Sequence, residues 1–350
     1  MTGKYMAYVG SYSYTGKAKG ITVYDVDVET GKFIYRCEVE VDNSSYLKAS
    51  QNGQILYSIA DEGVVAFRVL PNGSLARLNS ANIRGMRGCH LSTSKADDYI
   101  FISGFHDGKI TVLNLNKDGT VGQIADGVFH KGLGSVAERS FRPHVSCSRL
   151  TPDERFLMVA DLGIDQIKVY RFDHKDGKIT LVDTIRCELE SAPKYFMFSS
   201  DGRFFYVLYE MKNVIEVYSY KEGERVPIVE KIQTISSTGS KPNQLTAACA
   251  MHFSPDEKHV FCSNAGDNTV SMYDRDDETG MLTMRFCLPI SGDYPKDIAI
   301  FPDGKHLASI NHEGSISFFK IDYEKGLLVM SDRSIKVNEP NCCEIVKIGD

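Results

Sequence analysis

The stretch Leu150-Thr151-Pro152-Asp153-Glu154-Arg155-Phe156-Leu157-Met158-Val159-Ala160, running on to Gln166-Ile167-Lys168-Val169-Tyr170, decides the architecture. It reads as a tight turn, an apolar run of strand length, a polar break and a second alternating run that ends in an aromatic residue. The same phrase returns at Phe198 to Tyr218, Phe253 to Tyr273 and Ile300 to Phe319, and more faintly at Ala49 to Phe67 and Ser92 to Leu113. Aligned on the turn, the copies lie roughly 45 to 55 residues apart, a period of stacked or radially arranged supersecondary units.

Helical periodicity is nearly absent. Each phrase is followed by a Gly dipeptide, at Asn72-Gly73, Asp118-Gly119, Asp176-Gly177, Glu222-Gly223, Thr279-Gly280 and Lys325-Gly326. Such pairs supply the positive-φ residues that hairpins require, and a further short strand follows each. A unit therefore has about four strands: an opening strand before the turn, the two runs, and an outer strand after the hairpin. Repeated antiparallel units of this kind predict an all-β fold, a β-propeller.

Six units are complete and two remnants are complementary. Tyr5 to Gly10, Ile21 to Tyr24 and Phe33 to Tyr35 supply the second, third and fourth strands of a unit without an opening strand; Pro340 to Ile348 reads as an opening strand without successors. Joining them predicts a seventh blade and a ring closed by pairing of the N- and C-terminal strands. A solenoid is the alternative, but it normally needs distinct capping repeats with a polar outer face, and the complementary half-units favour closure.

At 350 residues the length alone would suggest two domains, yet no Pro/Ser-rich linker interrupts the repeat, so residues 1–350 are read as one domain. An apolar share of 42% with 25% charged residues supplies enough material for a core. The net charge of −6, with no clustered Lys or Arg, argues against a nucleic-acid partner, although it leaves room for a local basic pocket. No stretch has the apolar length of a membrane span, and Met1 to Tyr5 lacks the character of a signal peptide; a cytoplasmic location without a membrane partner is the expectation. The nine cysteines are scattered, without a Cys-x-x-Cys pair, and are expected to be reduced thiols rather than zinc ligands.

In a propeller the opening strands line the central channel, so their first residues gather at one mouth. Those starts include Ser45-Tyr46, Arg87 to His90, Arg142-Pro143-His144, Ala192-Pro193-Lys194, Ala247-Ala248, Tyr294-Pro295-Lys296 and Glu339-Pro340-Asn341. The ends of the first strong run face the same loops and add Tyr12, Asp61, His106, Asp161, Glu210, Asn264 and His312. From these, His144 and Glu210 are the candidates for acid–base work. Arg142, Lys194, Lys296, Asp161, Asn264 and His312 are the candidates for substrate binding. Lys194 and Lys296 recur at equivalent places in two blades, which suggests a shared anion site.

At these residues the chain resembles the lactonase family of seven-bladed propellers, which includes bacterial 6-phosphogluconolactonase and the fungal carboxy-muconate lactonizing enzyme. The resemblance covers nearly the whole chain and rests on Tyr8 to Tyr12 with Gly20-Ile21, Arg142 to Val145, Ala160 to Gly163, Ala192 to Lys194, Glu210, Ser263-Asn264 with Gly266, and Tyr294 to Lys296. It implies a pocket with a histidine at His144 and a glutamate at Glu210. Where relatives often carry His-x-His, two arginines and Ser-Asn-Arg-Gly, this chain has Ser146, Lys194, Lys296 and Ala265. Tryptophan-aspartate repeats do not fit a chain without tryptophan.

The resemblance implies a hydrolase that opens a sugar-acid lactone such as 6-phosphogluconolactone. His144 or Glu210 would activate water, and Lys194 or Lys296 would stabilise the oxyanion or bind an anionic substituent. No cofactor and no metal are expected, because the ester is already activated. A lactonizing isomerase using the same groups, and a non-catalytic propeller that binds a sugar acid or a protein, remain open; no protein partner is legible.

Overall fold

The turn that opens the repeated phrase builds itself from side chains. In the computed structural model, which describes residues 3–135, 141–239 and 245–349, Thr151 donates through its hydroxyl to Asp153 (2.5 Å), while its amide closes on the Phe156 carbonyl (2.8 Å). Ser199 with Asp201 and Ser254 with Asp256 repeat the device at 2.6 and 2.7 Å. A short polar side chain that binds its own backbone is why these residue types recur at the turn.

Each turn delivers the chain into a four-stranded antiparallel sheet, and seven such sheets are present. Blades 2 to 7 are consecutive in sequence. Blade 4, for example, runs Val145–Leu150, Phe156–Asp161, Gln166–Phe172 and Ile179–Arg186 from the channel outward. Blade 7 carries an extra short strand, Ile335–Lys336, on its third strand Ser315–Asp322. Blade 1 is composite: Pro340–Ile348 is its innermost strand and pairs antiparallel with Lys4–Ser11, followed by Gly20–Asp27 and Lys32–Glu40. This is the all-β, seven-bladed propeller expected, closed by its two terminal segments.

Second strands such as Phe156–Asp161, Phe204–Tyr209 and His306–Asn311 are buried along their whole length. A neighbouring blade covers each of their two faces, so they read as continuous apolar runs. Outer strands such as Ile228–Ser236 alternate between exposed and half-buried positions. The core divides into clusters lying between adjacent blades; Phe33 and Tyr24 of blade 1 meet Phe301 and Phe318 of blade 7 in the one that closes the ring.

The hairpin glycines tie one blade to the next. Tyr206 of blade 5 donates its hydroxyl to the Gly280 carbonyl of blade 6 (2.8 Å), as Tyr8 does to Gly73 and Tyr57 to Gly119. Gly280 has φ of +70°, and a Cβ there would lie 2.3 Å from the Phe204 ring. The dipeptide therefore serves both the turn and the interface. Glu222-Gly223 departs from the expectation: Gly223 is not among the positive-φ residues.

Candidate active site

The upper mouth of the channel is built by one recurring irregularity. In blades 4, 5, 6, 7 and 1 the ladder between the inner and second strands slips by one residue, at Ser146, Lys194, Cys249, Lys296 and Asn341. A bulge adds a residue that pairs with nothing and re-aims its side chain. In blades 2 and 3 the ladder begins lower, at Leu47 and His90, with Ser45 and Cys89 just above it. All seven residues line one cavity of about 100 Å³.

Three of these bulges follow prolines, and the residues before those prolines, Ala192, Tyr294 and Glu339, have φ of +57°, +61° and +48°. Non-glycine residues in this region are strained by about 1 kcal/mol or more and tend to mark functional loops. The strain is spent where the chain bends to present Lys194, Lys296 and Asn341.

Lys194 Nζ lies 2.7 Å from Glu210 Oε2. Glu210 follows the second strand of the same blade, and its amide bonds to the Ala192 carbonyl (2.9 Å), which sets it beside the bulge. The carboxylate residue is only 7% exposed. Burial by itself would depress the Lys194 pKa. Cys249, together with the charge and hydrogen bond of Glu210, outweighs burial and holds it above the ordinary lysine value. Lys194 is therefore a permanent cation and hydrogen-bond donor at neutral pH, not a base. Cys89, beside both lysines in the ring, is pushed up to about 12, chiefly by burial, and stays a neutral thiol.

The lysines sit next to an aromatic rim. Lys296 Nζ is 5.5 Å from the Tyr294 ring centroid, and Tyr294 packs on His312 (6.0 Å). His312 meets Tyr12 edge-on (5.8 Å), and the Arg87 guanidinium lies over Tyr12 (4.9 Å) while pairing with Asp61. His312 thus belongs to the rim and not to the cavity wall.

His144 is buried at the same mouth, above the bulge ring and outside the cavity lining. Its ring stacks on Phe105 (4.4 Å), and Nδ1 is 2.7 Å from the Phe105 carbonyl. A carbonyl only accepts, so Nδ1 carries the proton and the lone pair of the neutral imidazole is on Nε2. Gly163 permits this arrangement, since a Cβ there would lie 1.8 Å from the Arg142 carbonyl and 2.7 Å from the His144 ring. His106 faces Arg87, His144 and Arg142; burial first, and then these charges, lower its pKa. Cations and carboxylates meet at the mouth, with Arg87 paired to Asp61 and Lys194 to Glu210. Arg142 is exposed on it, packed against Phe141.

Of the six expected binding residues only Lys194 and Lys296 line the cavity; Arg142 and His312 stay at the mouth outside it, and the other two are held inside the blades. Asp161 is wholly buried and accepts from His130 Nδ1 (2.7 Å), the His144 amide (2.8 Å) and the Gly163 amide (3.1 Å). Asn264 is equally buried and donates to the Ser237 carbonyl (2.7 Å) and to Thr269 (3.2 Å). Both polar strand ends hold loops in place. The sequence reading overlooked Cys249, and Tyr12 and Tyr294 as a platform. The recurring Pro-x step was a usable signal for the bulge; Cys249 had none.

Among the described residues no group of three or more His, Cys, Asp or Glu is placed to hold a metal ion. The family model "Lactonase, 7-bladed beta-propeller" matches residues 6–345. The chain belongs to this lactonase family. It is 27% identical over 350 residues to a protein named 6-phosphogluconolactonase from Bacillus subtilis, covering 98% of this chain and 99% of that one. A Bacteroides fragilis structure assigned as a 6-phosphogluconolactonase superposes with a TM-score of 0.89 at 29% identity, covering 99% of this chain and 98% of that one. The Pseudomonas aeruginosa periplasmic gluconolactonase superposes with a TM-score of 0.92, over 99% of this chain and the whole of that one; at 23% identity this likeness concerns the fold.

Proposed function

We propose that the protein hydrolyses a sugar-acid lactone carrying an anionic substituent, of the 6-phosphogluconolactone type. The observation that carries this reading is the buried Lys194–Glu210 pair set beside Lys296 in one ring at the channel mouth. Membership of the lactonase family, and relatives named for this activity, support it.

In this reading His144 Nε2 takes a proton from water as the water oxygen attacks the lactone carbonyl carbon. The tetrahedral oxyanion is stabilised by the Lys194 ammonium, which Glu210 orients. Collapse breaks the ring C–O bond, and the proton on His144 passes to the departing alkoxide, giving the open hydroxy acid. A fixed cation of this kind is worth about 3 kcal/mol to a transition state that develops negative charge. Lys296 holds the phosphate or carboxylate substituent; as a point charge it orients less than an arginine fork would.

The test is hydrolysis of freshly made 6-phosphogluconolactone and of glucono-δ-lactone, followed above the spontaneous rate, in the native protein, His144→Ala and Glu210→Gln. The reading expects a native rate well above background, a preference for the phosphorylated lactone, and loss in both variants. A native rate equal to background, or variants as active as the native protein, overturns it.

A further inference from the structure

The channel has a second mouth. Below the bulge ring, Tyr46, His90, Tyr195, His252 and Asp297 fill the bore; Tyr46, Tyr195 and His252 line both the upper cavity and a pocket of about 470 Å³ on the far side. That pocket is walled by the ends of the inner strands and by the turns after them, the opposite end of the propeller from Lys194, Lys296 and His144.

Its charges do not balance. Three cations, Lys48, Lys95 and Arg149, line it against two carboxylates, Glu154 and Glu344. Both carboxylates are engaged: Glu344 accepts from Lys48 Nζ (3.1 Å) and the Ala49 amide (3.0 Å), and Glu154 from the Lys95 amide (2.6 Å). Asp297, nearby in the bore, is taken by His252 (2.8 Å) and the Cys343 amide (3.0 Å). Arg149 is left over. Its guanidinium lies over the Tyr195 ring (5.0 Å) and donates to the Tyr195 hydroxyl, but its Nε is buried without a hydrogen-bond partner. It forms no ion pair among the described residues. The surrounding field is positive: burial first, then Arg149 and Lys48, hold the pKa of His90 far below normal.

Arg149 is half-buried, and a partly desolvated charge with no counter-ion beside it favours an anion that can compensate it. A guanidinium in a polar pocket is matched by a planar or tetrahedral oxyanion that its fork can grip. We propose that the lower mouth is a binding site for a small oxyanion, a carboxylate or a phosphate monoester, with Arg149 as its counter-charge and Lys48 and Lys95 on the wall. The site is separate from the upper mouth and independent of the reaction assigned there. Tyr195 joins the two, since it packs on Arg149 and follows Lys194 in the chain.

The experiment uses inorganic phosphate and succinate as probes, against sodium chloride at matched ionic strength, with the melting temperature and calorimetric titration as readouts. Native protein and Lys296→Ala are expected to melt about 2 °C or more higher with at least one probe, because a ligand bound only to the folded state stabilises it. Phosphate alone, succinate alone or both identifies the anion class. Arg149→Met should lose the effect and melt about as native protein does without anion, since the half-buried guanidinium it removes has no counter-charge to lose. If that variant does not fold, Lys95→Glu at an exposed position is read instead and should weaken binding about ten-fold. The proposal is overturned if neither probe binds native protein, if both the Arg149 and Lys95 variants bind as native does, or if Lys296→Ala alone abolishes binding.

Discussion

Glu210 and Lys194 act as a single element: the carboxylate oxygen sits 2.7 Å from the ammonium, and both arise from blade 5, one from the bulge in its inner strand and the other from the end of its second strand. Removing either partner strands the other in a mostly buried setting. Glu210→Gln and Lys194→Met are each expected to lower kcat/KM by about 10²-fold. The double variant should be little worse than either alone, because groups that act as a unit are not additive. Hydrolysis rates corrected for the spontaneous reaction check this; full additivity would show that the two act independently.

Lys296 lies in the same ring, packed on Tyr294, and makes no ion pair among the described residues. Lys296→Ala should raise KM for a phosphorylated lactone by about ten-fold while leaving an uncharged lactone nearly unaffected. Lys296→Arg should keep or tighten phosphate-dependent binding through the bidentate fork. Comparing KM on the charged and uncharged substrates decides it.

The blade-to-blade tyrosines predict a stability effect away from the site. Tyr206 donates to the Gly280 carbonyl and accepts from Arg275 Nε (3.0 Å), so Tyr206→Phe leaves two buried groups unserved. A loss of about 1–3 kcal/mol is expected from chemical denaturation, with lactone hydrolysis at low temperature retained. A variant as stable as the native protein would assign the interface wholly to packing.

Two buried histidines set an acid limit. Burial depresses the folded-state pKa of His90, helped by Arg149 and Lys48, and burial likewise lowers His130 despite its contact with Asp161. The unfolded chain, with histidines near 6.5, then binds more protons than the native state just below that value. Stability is therefore full above about pH 6.5 and falls as the pH drops towards the depressed values, by about 1 kcal/mol per group per pH unit. Melting curves between pH 7.5 and 5.5 should show the decline, and His90→Gln should flatten it. A pH-independent native melting temperature across that range would refute this account.

The blades and their closure were legible because turn chemistry and apolar runs are local signals, repeated often enough to align. Lys194 and Lys296 were legible through the prolines before them. Ser45 and Cys89 were legible only as members of strand starts, and Cys249 not at all, because a bulge is a slip between two strands and leaves no mark in the alternation of one. Asp161 and Asn264 misled for a related reason: a polar residue at the end of a buried strand can as readily anchor its own loop as face a ligand. The lower pocket was invisible, since Arg149 reads as an ordinary residue before a turn and only the pairing of its neighbours reveals that it has no counter-charge.

Blade 1 also sets an order of assembly on the ribosome. Lys4–Ser11 precedes every other strand of the propeller in sequence, and its inner partner Pro340–Ile348 follows them all. Until Pro340–Ile348 has been made, the nascent chain carries a sheet edge with unpaired backbone groups, the kind of surface that invites pairing with another chain. The ring cannot lock before Pro340–Ile348 has been made, so until then this edge is the one most open to pairing with the wrong strand.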